Sequence, residues 1–164
     1  MLQVMQVVSI FRSPAALVLQ ALLLLGLTGC ESARYNRTWN RFEPNATPHA
    51  FEGRWKGTWE SDWNGHDGGL RCIVTAQEDG GFLAWFDSTY GIFSFRHKAL
   101  FTLIEETAER IRFRGEEDLG SMFGGVYRYE GSVAADDFEA TFQAENGDHG
   151  VFTMERVLPT PPTP

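Results

Sequence analysis

Residues 137–145 read Asp137-Phe138-Glu139-Ala140-Thr141-Phe142-Gln143-Ala144-Glu145. Phe138, Ala140, Phe142 and Ala144 alternate with Glu139, Thr141, Gln143 and Glu145. A period of two marks a strand with one apolar and one wet face. Asp136-Asp137 and Asn146-Gly147-Asp148, which favour turns, bound the stretch. The pattern continues outward on both sides. Strand character is found at roughly 52–60, 69–77, 81–88, 92–101, 109–116, 125–133, 137–145 and 149–158. Asn64-Gly65, Gly68-Gly69, Asp79-Gly80-Gly81 and Gly124-Gly125 supply further breaks. No segment carries a helical moment, although residues 103–110 allow one short helical turn. Short strands in close succession, each with one wet face, predict an all-β domain. The predicted form is an eight-stranded antiparallel up-and-down barrel, whose closure removes the sheet edges.

Such a barrel holds either packed side chains or one small ligand. Trp59, Phe93, Phe95, Tyr127, Tyr129 and Phe142 fall on the inward phase of their strands, as does His97 beside Phe95. They are the candidate lining of an apolar or aromatic site. The same residues would equally well make a solid aromatic core. Gly53, Gly57, Gly131, Ala140 and Ala144 share that face, and small residues there either permit strong coiling or leave a cavity.

The chain outside this region is organised differently. Of its 164 residues, 1–29 hold one charge, Arg12, and a short apolar run at 15–25. Arg12, Ser13 and Pro14 separate that run from the apolar residues before it, so it falls short of a membrane span of about 20 residues. It reads as a signal peptide. The segment Leu27-Thr28-Gly29-Cys30 resembles the bacterial lipobox. That resemblance implies that Cys30 is acylated and becomes the mature N-terminus, with at least two acyl chains holding it to a membrane. The expected location is the bacterial cell envelope, outside the cytoplasm. Residues 30–50 contain Pro44 and Pro48 and no strand alternation, which predicts a flexible, solvated tether. An alternative is a basic stripe of Arg34, Arg37 and Arg41, with Tyr35, Trp39 and Phe42 dipping into the membrane interface. Residues 159–164 form a Pro-rich tail. After residue 29 the chain carries 13 Lys+Arg against 22 Asp+Glu, a formal charge of −9. That balance argues against a nucleic-acid partner.

Phe51-Glu52-Gly53-Arg54-Trp55 on the first strand resembles the Gly-x-Trp signature of lipocalins. The resemblance implies that Trp55 plugs one barrel end and that an Arg of the last strand packs across it. Arg156 is in phase with Phe152 and Met154 and is the candidate. Residues 51–158 are closer in length to compact avidin-like and fatty-acid-binding-protein-like barrels. Gly53-Arg54-Trp55-Lys56-Gly57 also looks a little like the opening strand of nitrobindin-type haem barrels, in which reading His149 is a possible haem ligand. No second spaced His and no Cys-x-x-Cys-His accompanies it, so no cofactor is expected.

The most unusual polar stretch is residues 60–71, ESDWNGHDGGLR. Asp62, Asn64, His66 and Asp67 do not follow EF-hand spacing, and no metal site is expected. A turn built on Asn-Gly and Gly-Gly is the simpler account, with His66 and Arg71 as possible rim residues. Cys72 lacks a partner once Cys30 is acylated and is expected to be buried and inert. Leu119-Gly120-Ser121-Met122-Phe123-Gly124 lacks the context of a nucleophile elbow, and the paired acids lie in turns. No catalytic residue is therefore expected. The leading expectation is a membrane-tethered, non-enzymatic barrel for a small apolar or aromatic ligand, closed at one end by Trp55 and Arg156. Against it stands a filled barrel acting as a structural or protein-interaction module. A haem-binding or hydrolytic barrel ranks third.

Overall fold

The structure, a computed structural model, describes residues 31–45 and 47–158. Cys30, the leader before it and the Pro-rich tail lie outside the described residues. The chain divides into units 1–36 and 37–164, and the sheet belongs entirely to the second.

Eight strands follow one another: β1 Gly53–Ser61, β2 Asp67–Ala76, β3 Phe82–Tyr90, β4 Phe93–Glu106, β5 Ile111–Asp118, β6 Val126–Ala134, β7 Asp137–Ala144 and β8 His149–Arg156. Each pairs antiparallel with its sequence neighbour, and β1 pairs with β8, so the sheet is a closed up-and-down barrel. This is the architecture that the lipocalin resemblance implies. Burial follows the alternation strictly in β7, where Phe138, Ala140, Phe142 and Ala144 are buried and their neighbours exposed.

Gly57 shows why small residues stand on the inner face of β1. A Cβ there would lie 1.9 Å from the carbonyl oxygen of Thr153 on β8. Glycine lets the first and last strands coil tightly together where the barrel closes.

Two local expectations are corrected. Residues 103–106 continue β4 rather than beginning a helical turn. A bulge between Leu103 and Glu105 resets the register, and Glu105 and Glu106 then pair with Arg112 and Ile111. Residues 31–40 are helical rather than a structureless tether. Pro44 and Pro48 lie beyond the end of that helix and so do not break it. Tyr35 and Trp39 on this helix are buried.

The third strand, which opens on the apolar run Phe82–Phe86, has two buried faces. Phe82, Ala84 and Phe86 join the barrel core. Trp85 and Asp87 point outward, and both are buried there. Trp39 belongs to the same outer layer, with the Arg54 and Arg71 guanidiniums 5.6 and 5.2 Å from its ring centroid.

Candidate functional site

The two ends of the barrel differ. At the end where the chain enters, Phe51 fills the axis. Its ring centroid lies 5.1 Å from that of Phe82, 4.7 Å from Phe113 and 5.9 Å from Phe138. Trp55 packs above it and donates its indole N–H to the Phe51 carbonyl over 3.3 Å. Arg156 lies across Trp55, its guanidinium carbon 4.1 Å from the ring centroid. The same guanidinium donates to the Glu52 and Ala50 carbonyls and to the Asp136 carboxylate. Glu52, buried, accepts from the Ala76 and His49 amides and from Asn45. This end is therefore sealed.

The opposite end holds a cavity of about 430 Å³. Trp59, Phe93, Phe95, His97, Tyr127, Tyr129 and Phe142 all border it. Phe93 is 70% and Phe123 53% exposed, so the cavity opens to solvent between the β3–β4 turn and the β5–β6 loop. Trp55 and Arg156 do not border it; they belong to the seal below. Phe86 and Phe152 separate the two levels: Phe86 lies 6.2 Å from Tyr129 and 5.7 Å from Phe152, centroid to centroid.

The polar groups on this wall are few. Trp59 donates its indole N–H to the Thr89 carbonyl at 3.0 Å, which fixes the ring at the mouth. The Ser88 hydroxyl donates to the Phe95 carbonyl at 3.2 Å. His97 lies between Phe86 and Phe95, with centroids 5.0 and 5.5 Å away, and its Nε2 is 3.4 Å from the Tyr129 hydroxyl. Its Nδ1 is buried without a hydrogen-bond partner among the described residues. Burial lowers the His97 pKa to about 4, so the ring is neutral at pH 7. Behind it, Glu117 accepts from the Lys98 amide at 3.3 Å. Desolvation raises the Glu117 pKa to about 6, against the opposing pull of that hydrogen bond and of the Lys98 charge. Burial raises the Tyr129 hydroxyl as well, helped by the nearby Glu117 carboxylate. Asp148 borders the cavity at the mouth and accepts a 2.6 Å hydrogen bond from the Ser61 hydroxyl.

No protein-family profile, no curated protein and no solved structure matches this chain.

The two suggested rim residues part company. His66 is exposed and stacks on Tyr90, ring centroids 4.5 Å apart, and Tyr90 borders the cavity. Arg71 is not on the rim. Its place on β2 points it to the outer wall, where its Nε donates to Asp87 at 3.1 Å. Arg96 approaches the other oxygen of Asp87 at 2.9 Å. The one-residue phase difference from Leu70 and Cys72 decides this outward direction.

Cys72 faces the core, and burial raises its thiol pKa far from the reactive range. His149 is exposed, with Nδ1 2.9 Å from the Gly147 carbonyl. Among the described residues no group of three or more His, Cys, Asp or Glu is placed to hold a metal ion. Nor is any helix among them long and apolar enough to cross a membrane.

Several wall residues escape a reading of the sequence. Tyr90 continues the inward phase of Phe86 and Ser88, but only because β3 runs four residues beyond its apolar run Phe82–Phe86. Phe123 reaches Phe95, at 5.0 Å, from a three-residue 3₁₀ turn with no strand phase to reveal it. Asp148 stands in an Asn-Gly-Asp turn, where a capping role accounts for it just as well.

Proposed function

We propose that this protein is a membrane-tethered binding protein that takes a small apolar or aromatic molecule into the open end of its barrel. The observation that carries this reading is the aromatic-walled cavity of about 430 Å³ above a filled and sealed lower half. Volumes and linings of this kind are typical of small-molecule sites. The cavity also weighs against the filled-barrel alternative, in which the same side chains would meet across the axis. The reading assigns binding rather than catalysis, and it places the barrel on a bacterial envelope membrane through acylated Cys30, as the Leu27-Thr28-Gly29-Cys30 segment suggests.

The test for binding is a fluorescence titration of the purified protein with N-phenyl-1-naphthylamine, a neutral aromatic probe. Saturable enhancement at one probe per barrel is expected. Ser88 borders the cavity on the inner face of β3, so Ser88→Trp should fill the space and abolish the signal while the barrel stays folded by circular dichroism. No saturable signal, or an equal signal in the filled variant, overturns the reading. The anchor is tested separately by palmitate labelling in a bacterial host, where Cys30→Ala should remove the label.

A further inference from the structure

The charge distribution around the cavity is one-sided. The four turns at the open end, residues 62–66, 91–92, 119–125 and 145–148, contain Asp62, Glu145 and Asp148 and no Lys or Arg. Among the described residues no Lys or Arg borders the cavity either. Its histidine, His97, is held neutral by burial. Among the described lining residues the one acidic or basic side chain besides that histidine is Asp148. Asp148 shares that lining with Trp59, Tyr90, Tyr127 and Phe142, and it lies near enough to Tyr127 that, after burial, its charge also raises that hydroxyl's pKa. Trp59 and Tyr90 lie 6.4 Å apart, centroid to centroid, and Tyr127 is 6.1 Å from Phe142. The Ser61 hydroxyl occupies one lobe of Asp148, and no hydrogen bond or ion pair between its carboxylate and a cationic side chain is found among the described residues.

Each feature has the same chemical consequence. Aromatic faces carry negative quadrupole density and attract cations, most strongly where water is excluded. A carboxylate beside them adds Coulomb attraction, and low-dielectric walls focus it. An anionic ligand would meet the same wall with no Lys or Arg among its described lining residues to receive it. We infer that the cavity selects small organic cations, a quaternary or tertiary ammonium on an apolar or aromatic body, with Asp148 and the Trp59, Tyr90 and Tyr127 rings receiving the charge at the mouth. The apolar body would then lie deeper, against Phe95, Phe142 and Phe152.

This inference rests on the cavity being a binding site, and the experiment separates the two. The full-length protein, loaded with N-phenyl-1-naphthylamine, is titrated with three displacers of similar shape: phenyltrimethylammonium, its neutral isostere tert-butylbenzene, and benzenesulfonate. The cation is expected to displace the probe at a concentration at least tenfold lower than the neutral isostere, equivalent to about 1.4 kcal/mol, and the anion not at all. Asp148→Asn keeps an acceptor for Ser61 and should reduce the cation-to-neutral ratio to about twofold or less. Asp62→Asn, an exposed acid in the neighbouring turn, should leave the tenfold ratio in place. Equal displacement by cation and neutral isostere overturns the cation inference while leaving the cavity a binding site. So does an equal fall of the ratio in both variants, which would trace the preference to the general acidic field. Failure of the neutral probe itself to bind overturns the underlying reading.

Discussion

Arg156 lies with its guanidinium carbon 4.1 Å from the ring centroid of Trp55, and the two residues are paired directly across the seam that closes the barrel. The contact is more than a cation–π stack. The same group donates to the Glu52 and Ala50 carbonyls, tying the entering chain to the last strand.

Arg156→Ala is therefore expected to destabilise the barrel by about 2 kcal/mol, combining lost stacking with the loss of a donor to the half-buried Glu52 carbonyl. Arg156→Lys should recover less than half of this, because an ammonium has neither the planar face nor the fork of donors. Urea unfolding curves give both numbers. A loss below about 0.5 kcal/mol for Arg156→Ala would mean the seal is held by Phe51 and Trp55 alone.

Two glycines should respond differently to alanine. At Gly57 the new Cβ would meet the Thr153 carbonyl oxygen at 1.9 Å, forcing β1 and β8 apart. A loss above about 2 kcal/mol, or no soluble barrel, is expected. At Gly65 nothing lies within 4 Å, and only the positive φ of 70° is strained. A cost of about 1 kcal/mol should follow there. Thermal melting of the pair checks the contrast.

On the outer wall, Asp87 is 3% exposed and serves both Arg71 and Arg96. Asp87→Ala leaves the largely buried Arg96 without its counter-charge and should cost about 3 kcal/mol. Asp87→Ala combined with Arg96→Met should cost less than the single change. If the double variant is the weaker one, the layer is held by packing rather than by the ion pairs.

Acid stability should reveal two opposed titrations. His97 has a folded pKa of about 4 against an ordinary 6.5, so the unfolded chain takes up its proton first. That term lowers stability as pH falls from about 6.5 to about 4, by up to ~1.4 kcal/mol per pH unit. Glu117 has a folded pKa of about 6 against 4.5, so the folded protein takes up its proton first. That term raises stability as pH falls from about 6 to about 4.5. The wild-type profile should be shallow where the two overlap. Relative to it, His97→Phe should gain stability on acidification and Glu117→Gln should lose it. Denaturant midpoints measured from pH 4 to 7 decide the matter, and identical slopes in both variants would contradict the burial of these groups.

How far each residue was legible in the sequence depends on which physical rule governs it. Phe138, Ala140 and Phe142 announce their direction because a strand alternates faces without exception. Trp55 and Arg156 could be matched because first and last strands must pair when a meander closes, and both lie on the inward phase. The faces of Phe82–Phe86 are not legible, since an all-apolar run has no phase; the outer layer of Ile73, Trp85 and Trp39 explains why both its faces are buried. The helix at 31–40 gave no warning, because its arginines and aromatics read equally well as a solvated stripe.

The amino-acid sequence by itself determined the class of fold, the strand order and the inward set of side chains, because turns and alternation are local properties of the chain. Only the tertiary structure decided that the inward set fills one end and leaves a cavity at the other. Alternation states which way a side chain points but not the height at which it meets the others. That height depends on the stagger between neighbouring strands, accumulated around the closed sheet. The same stagger brings Phe51, Phe113 and Phe138 together at the sealed end, while Trp59, Tyr127 and Asp148 stand apart around the mouth.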